Sequence, residues 1–273
     1  MFNTYLYRHG ITNSSSKSRQ EGPNNIVTNI PLVLFVPFYN ESKREGIVGY
    51  VNALAALPEL SLVLVNDGST DTTNNILSSF QQPNIKIYSH AINLGKGNAL
   101  RVAMLDFQLH NKANFIGYLD CDGAFPIDTV SLFIDSSRKK FLDNEILLCI
   151  ASRIKLAGRK VERKEHRHYI SRVIITLLGI RYTFMPYDSQ SGLKIFRVNE
   201  GFENSLRLPF KTRWLFDVEL LDRLTKKSSS NFIWEEPVQE WRDKPGSHLQ
   251  MRHVISVAKE LLLLLLAKKS LND

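Results

Sequence analysis

A chain of 273 residues, 43% of them apolar, can bury one substantial core, and its formal net charge of +8 points to an anionic partner such as nucleic acid, acidic lipid or a phosphorylated small molecule. Two cysteines, Cys121 and Cys149, exclude a disulfide framework and lack metal-ligand spacing, which suits a reducing compartment. The longest apolar runs, Val173 to Ile180 and Leu261 to Ala267, fall far short of the roughly 20 residues of a spanning helix, so no membrane crossing is expected.

Residues 1–30 lack the apolar stretch of a signal peptide and read as a polar arm. From Pro31 the pattern becomes regular. "LVLFV" (Leu32 to Val36) is a β-rich run of the kind buried on both faces. Helical spacing follows over Arg44 to Leu57, then a second strand over Ser61 to Val65 and a helix over Thr70 to Phe80, with acidic and hydroxyl residues at its start. A third strand (Ile85 to His90), a third helix (Gly97 to His110), a fourth strand ("FIGYLD", Phe115 to Asp120) and a fifth (Ile146 to Ser152) continue the alternation. Such alternation predicts βαβ units, a mostly parallel central sheet flanked by helices, and an α/β class.

The second half is less regular. Arg153 to Arg172 is a basic stretch predicted as loop then helix. Tyr187 to Arg197 reads as a turn into a strand, Arg213 to Leu224 as a helix, and Trp234 to His248 as a strand then a loop. A closing helix places Val254, Val257, Ala258, Leu261, Leu262 and Leu265 on one stripe. The expected organisation is an arm over 1–30, one domain over 31–250 and a C-terminal amphipathic helix over 251–273. Six consecutive leucines wrap all round that helix, with Lys259, Lys268 and Lys269 beside them. It is therefore expected either to rest on an anionic membrane surface or a dimer contact, or to pack into the protein's own core.

The segments at the strand ends are more telling. The first strand runs into "PFYNES", the second into "NDGSTD", the third into "NLGKGN" and the fourth into "DCDGAFP". In a parallel sheet these segments share one edge, where ligands bind. That convergence places Asp67, Lys96, Asp120 and Asp122 around one crevice. Two aspartates one residue apart at a strand end are hard oxygen ligands suited to Mg²⁺ or Mn²⁺, which complete their shells with phosphate and water. A bare D-x-D is more often a solvated loop, and aspartate, glycine and serine make ordinary turns; shared position strengthens the metal reading. Neither a G-x-G-x-x-G nor a P-loop pattern is present. Tyr169 is the lone Phe, Tyr or Trp in the basic stretch, against the stacking platforms of nucleic-acid binders.

Eight segments in order carry a resemblance: "PFYNE", "VNDGSTD", "NLGKGNALR", "DCDG", "ASR", "DSQSGLKIF", "RWLFDVELL" and "WRDKPGS". Together they resemble glycosyltransferase family 2, most closely its dolichyl-phosphate glucosyltransferase and dolichyl-phosphate mannose synthase branch. The resemblance implies a GT-A fold, with a Rossmann-like nucleotide-binding half and an acceptor half. It implies inverting transfer from a nucleotide-sugar, a UDP-sugar such as UDP-glucose first and GDP-mannose second, to a glycan hydroxyl or a polyprenyl phosphate. Carried over by position, Pro37, Tyr39 and Glu41 border the nucleoside, and Asp67 meets the base. Gly95 and Lys96 lie near the nucleotide. Asp120 and Asp122 hold the metal, with His248 as a third ligand. Gln190 and Ser191 lie beside the sugar, Arg153 grips an anion, and Asp217 is the acid/base residue. A helix sets Asp217 and Glu219 about 200° apart, so one faces the crevice and Glu219 is given a structural role. Cys121 and Ala124 depart from the alanine and glutamine common in this motif. The implied setting is the cytoplasm, peripheral to the cytoplasmic face of a membrane, in cell-surface glycan synthesis. The alternatives are a sugar nucleotidyltransferase, which would need a glycine-rich basic loop where this chain has "PFYNES", and a non-catalytic nucleotide-sugar-binding module.

Overall fold

In the computed structural model the described residues are 31–162, 172–179, 185–225, 232–244 and 254–266. The first half follows the predicted alternation: β1 (Leu32–Phe38), α1 (Ile47–Ala55), β2 (Leu60–Asn66), α2 (Thr73–Ser78), β3 (Ile85–Ser89), α3 (Lys96–Asn111), β4 (Phe115–Leu119), α4 (Ile127–Lys140) and β5 (Leu148–Ser152). The second half comprises β6 (Lys160–Glu162), α5 (172–179), β7 (Leu193–Arg197), α6 (Glu200–Leu206), α7 (Phe216–Thr225), β8 (Ile233–Pro237), β9 (Glu240–Arg242) and α8 (Val254–Leu266).

Seven strands form one sheet in the order β3-β2-β1-β4-β7-β5-β8, and β6 pairs with β9 apart from it. Alternate side chains of β1 point to opposite faces. Leu34, Val36 and Phe38 join a core with Val51 and Leu54 of α1, Leu77 of α2 and Val130 and Phe133 of α4. Val33 and Phe35 join a second core with Ala99 and Leu100 of α3, Phe202 of α6 and Leu220 of α7. Apolar demand on both faces is why the strand sequences read as continuous runs rather than alternations.

Among the described strands of this sheet, β7 alone runs antiparallel to its neighbours, β4 and β5. Its reversal brings the segment that precedes it to the edge where the other strands end. One edge therefore gathers the residues after β1, β2, β3, β4, β5 and β8 and those before β7.

Several elements differ from expectation. The basic stretch carries β6, whose partner β9 supplies the parallel register Val161 to Trp241. Helices α4 and α6 lie outside the predicted elements; α4 has Pro126 at its N-cap and no capping side chain, so its start is poorly marked in sequence. The C-terminal helix docks by part of the predicted stripe, Val257 and Leu261, and by Leu264, which lies outside it. Leu264 is buried, with Val257 and Leu261 packed beside it, against Ile174 and Leu178 of α5 and Leu215 and Val218 near the start of α7. Ala258 and Leu262 turn outward, because a helix docked by residues 257, 261 and 264 points 258 and 262 about 100° away.

Candidate functional site

The first two loops of the crevice are fastened to each other. Asn40 adopts a left-handed backbone (φ 53°) as the chain leaves β1. Its amide donates to Ser69 Oγ (3.1 Å), and its side-chain oxygen accepts from the Thr70 amide (2.8 Å). The Glu41 amide donates to Thr73 Oγ1 (2.8 Å), and Ser42 donates to Asp71 through both its amide and its hydroxyl. Gly68 (φ +64°) lets the loop after β2 press on the one after β3: a Cβ there would sit 2.3 Å from the Ile92 carbonyl carbon.

Pro37 and Tyr39 are half-buried at the mouth of this region. Glu41 is buried and paired with Arg44 (2.5 Å). Asp67 is buried too, with both oxygens committed: Oδ1 accepts from the Leu94 amide (2.7 Å) and Oδ2 from Asn93 Nδ2 (2.9 Å). Burial raises its pKa, with the amides of Leu94 and Gly95 opposing. Asp67 thus fixes the approach to α3, and Gly95, at its N-cap, is buried.

β4 delivers the paired aspartates. The Asp120 amide donates to the Gly192 carbonyl (2.9 Å), and a Cβ on Gly192 would lie 2.2 Å from Asp120 Oδ2. Glycine there is what allows the carboxylate to lean on the segment before β7. Lys96 Nζ stands 2.5 Å from Asp120 Oδ1, over the rings of Tyr118 and Phe216. Burial alone would lower the Lys96 pKa; the charges of Asp120 and Asp217 outweigh it and raise the pKa. Asp122 accepts from the Ala124 amide (3.0 Å), and its pKa is raised by burial and then by the charge of Asp120. Cys121 between them is buried, and its thiol pKa is pushed well up by burial, so it packs and does not react.

The far side is built on buried charge. Arg153 grips Asp188 in a two-pronged pair (Nε to Oδ2 and Nη2 to Oδ1, 2.7 Å each) and donates to the Gln190 carbonyl (3.0 Å). The Tyr187 and Asp188 amides donate to Glu235 (2.7 and 2.9 Å). Gln190 is half-buried at the crevice, whereas Ser191 is 0% exposed and donates its hydroxyl to the Ala151 carbonyl, behind the loop. Asp217 is 4% exposed. Its Oδ1 accepts from Lys194 Nζ (2.7 Å) and from the Tyr118 hydroxyl, and Lys194 also donates to that hydroxyl (2.9 Å) and to the Ser191 carbonyl (2.7 Å). Burial pushes the Lys194 pKa down and the Tyr118 pKa up. Glu219 turns away from the crevice to accept from Lys211, Thr212 and Arg223.

His248 and residues 163–171 of the basic stretch lie outside the described residues. Among the described residues no third His, Cys, Asp or Glu joins Asp120 and Asp122 in a metal-sized cluster. Tyr118, Asp188, Lys194 and Glu235 were absent from the sequence-derived site. Lys194 had a signal: a lysine inside the apolar run "GLKIF" must find a counter-charge if the strand is buried.

Comparison with known proteins places this geometry. Residues 33–194 match the model of glycosyl transferase family 2. Two Trichomonas vaginalis proteins, the dolichyl-phosphate beta-glucosyltransferases ALG5C and ALG5A, are 30% and 28% identical to the chain over 241 residues each. The alignments cover 83% and 85% of this chain and 68% and 72% of theirs. The fold is similar to that of glucosyl-3-phosphoglycerate synthase from Mycobacterium tuberculosis in complex with uridine diphosphate, with a TM-score of 0.63 at 15% identity over 89% of this chain and 81% of that one. The same enzyme with Mn²⁺, UDP-glucose and phosphoglyceric acid gives 0.60. The chain belongs to glycosyltransferase family 2.

Proposed function

We propose that this chain is an inverting glucosyltransferase that moves glucose from UDP-glucose to a polyprenyl phosphate. The observation that carries the acceptor half of this reading is the state of Asp217. It is buried and bonded to Lys194 and Tyr118, so it is poorly placed to strip a proton from a hydroxyl. A phosphate acceptor is already anionic and asks for no base. The dolichyl-phosphate acceptor in the names of the curated relatives supports the same choice.

For the donor, the loops after β1 to β3 offer the nucleoside a rim of Pro37, Tyr39 and Glu41 over buried Asp67, with Gly95 and Lys96 on the diphosphate side. Asp120 and Asp122 fit a divalent cation, Mn²⁺ or Mg²⁺. They are hard oxygen donors, and Asp122 is disfavoured in its charged form by burial and then by the charge of Asp120, both of which a cation would offset. When bound, the cation neutralises charge on the departing diphosphate. Lys96 and Arg44 add positive charge beside the two aspartates. Arg153, through Asp188, holds the loop that presents Gln190 toward the sugar. Attack by the phosphate oxygen at the anomeric carbon, opposite the leaving UDP, gives a β-linked product.

Among the described residues no helix is long and apolar enough to cross a membrane. Helix α8 turns Ile255, Leu262 (55% exposed), Leu263 and Leu266 (71% exposed) outward, which supports contact with the membrane that holds the acceptor.

The test is Asp217→Asn assayed with UDP-glucose on dolichyl phosphate and on a panel of sugar hydroxyl acceptors. A kcat loss below about tenfold on the lipid phosphate is expected, against the roughly two to four orders of magnitude that loss of a general base costs. Because the single change strands Lys194, the double variant Lys194→Met/Asp217→Asn is measured beside it. A large loss in both variants, with wild type preferring a hydroxyl, would sink the phosphate reading.

A further inference from the structure

The segment entering α7 is held almost wholly by two carboxylates. Glu219, within α7, accepts from the amides of Lys211 and Thr212 (2.9 Å each) and from Thr212 Oγ1 (2.9 Å). The next three amides go elsewhere. Arg213 N–H donates to Glu260 Oε1 (3.0 Å), and Trp214 and Leu215 donate to Glu260 Oε2 (2.9 and 3.0 Å). Glu260 belongs to α8, some 45 residues along the chain. Three successive N–H groups aimed at one point form a concave anion site, and here the anion is the chain's own side chain. These amides precede the first turn of α7, so the helix itself cannot satisfy them.

What Glu260 fixes reaches the crevice in two directions. Toward the donor side, the Arg213 side chain lies over Gly95 and donates to Asn93, and Asn93 in turn holds Asp67. Toward the other side, Phe216 lies under Lys96, and Asp217 meets Lys194 and Tyr118. Residues 213–217 thus touch both halves of the site, and their backbone is set from α8.

We infer that Glu260 is a positioning residue for the transfer reaction, making the C-terminal helix a working part of the active site. The inference rests on the glycosyltransferase reading for its reaction, but the contact itself is tested without substrate. The bland alternative is that Glu260 merely cements α8 to the body. Leu264, buried in the apolar seam between α8, α5 and the start of α7, serves that purpose and provides the control.

The experiment compares Glu260→Gln with Leu264→Ala in the full chain. Hydrogen exchange by mass spectrometry follows residues 211–217, calorimetry measures UDP affinity with Mn²⁺, and turnover is read with UDP-glucose. Glutamine keeps the size but loses the charge, and its NH₂ stands where one carboxylate oxygen had accepted from the amides. The expected result for Glu260→Gln is exchange at least about tenfold faster in 213–215, weaker UDP binding, and kcat lower by about ten- to a hundredfold, the scale of a small misplacement of reacting groups. Leu264→Ala should lower Tm at least as much while leaving kcat within about twofold. Unchanged exchange at 213–215 in Glu260→Gln, or an equal kcat loss in Leu264→Ala at matched Tm, overturns the inference. If wild type fails to turn over UDP-glucose, the donor reading falls and the exchange result still decides the role of Glu260.

Discussion

The two sides of the crevice are assembled by different chemistry. On the β1–β2 side, short polar side chains and backbone amides bind loop to loop: Asn40 to Ser69 and Thr70, Ser42 to Asp71, Glu41 to Thr73. No one of these bonds carries the arrangement, and apart from the buried Glu41–Thr73 bond they lie at exposed or half-buried groups that nearby water can satisfy. On the β7 side, position depends on buried ion pairs, Arg153 with Asp188 and Lys194 with Asp217, and on carboxylates brought from afar. Removing one partner there strands a charge in a poorly solvated place, which costs far more than a lost hydrogen bond. Substituting the paired aspartates should therefore cost function without structure, whereas breaking the Arg153–Asp188 pair should cost both together.

The largest effect is expected where function separates most cleanly from folding. Asp122→Ala should cut donor turnover by about a thousandfold or more and weaken Mn²⁺-dependent UDP binding, with a melting temperature at or above wild type. The stability half of this expectation follows from the raised pKa of Asp122, a carboxylate that burial and Asp120 disfavour in its charged form. Activity assays, calorimetry and thermal melts check it together. Full turnover by wild type in excess EDTA would remove the metal from the scheme.

On the other side, Arg153→Met should damage fold and function at once. Asp188 is 2% exposed and would keep its charge without the two-pronged grip of Arg153. A loss of about 3–5 kcal/mol is expected, as for other half-broken buried pairs. Adding Asp188→Asn should recover part of it, because the stranded charge goes too. Urea unfolding of the two single variants and the double variant decides. If the double variant is no more stable than Arg153→Met, the pair is not the anchor of the 187–192 loop.

The same contrast explains what could be read from the sequence. The donor side was legible because its residues lie in the segments that leave the strands, so period and turn chemistry alone bring Asp67, Lys96, Asp120 and Asp122 to one edge. The far side was not, because its pairs join residues whose proximity depends on the reversal of β7 and on the return of α7 and α8. Asp188 meets Arg153 across 35 positions, and Tyr118 meets Asp217 across 99. No local pattern encodes such distances. Helix geometry lets only one of Asp217 and Glu219 face the crevice and the motif match selects Asp217, leaving Glu219 a structural role, but the pairing of Asp217 is invisible until β7 places Lys194 beside it. The stripe of α8 failed in part for a related reason: with six leucines in a row, hydrophobicity does not say which face is docked, and the narrow seam made by α5 and α7 does.

The smallest expected effect tests the claim that the donor side is held by many weak bonds. Asp71 accepts from the Ser42 amide and hydroxyl and from the Thr73 amide. Burial alone would raise its pKa, but these hydrogen bonds outweigh burial and hold the carboxyl well below the usual carboxylate range. A folded pKa below the unfolded one means stabilisation that is complete above the unfolded value, near about 4, and that drains away as the pH falls toward the folded value. Asp71→Asn loses the charge and must turn an NH₂ toward donors if it is to keep any bond. Its Tm should therefore lie a few degrees below wild type at pH 7, on the scale of about 1 kcal/mol for charge-assisted hydrogen bonds at a half-exposed site. That gap should hold at pH 5 and narrow at pH 3, where the aspartate of the unfolded chain is largely protonated while the folded one keeps its charge. Turnover at pH 7 should change little, since Asn40, Glu41 and Ser69 still join the loops. Thermal melts at the three pH values are the measurement. A gap that widens in acid, or a loss of more than about 3 kcal/mol, would mean that the donor side depends on one buried charge after all, and the contrast with the β7 side would disappear.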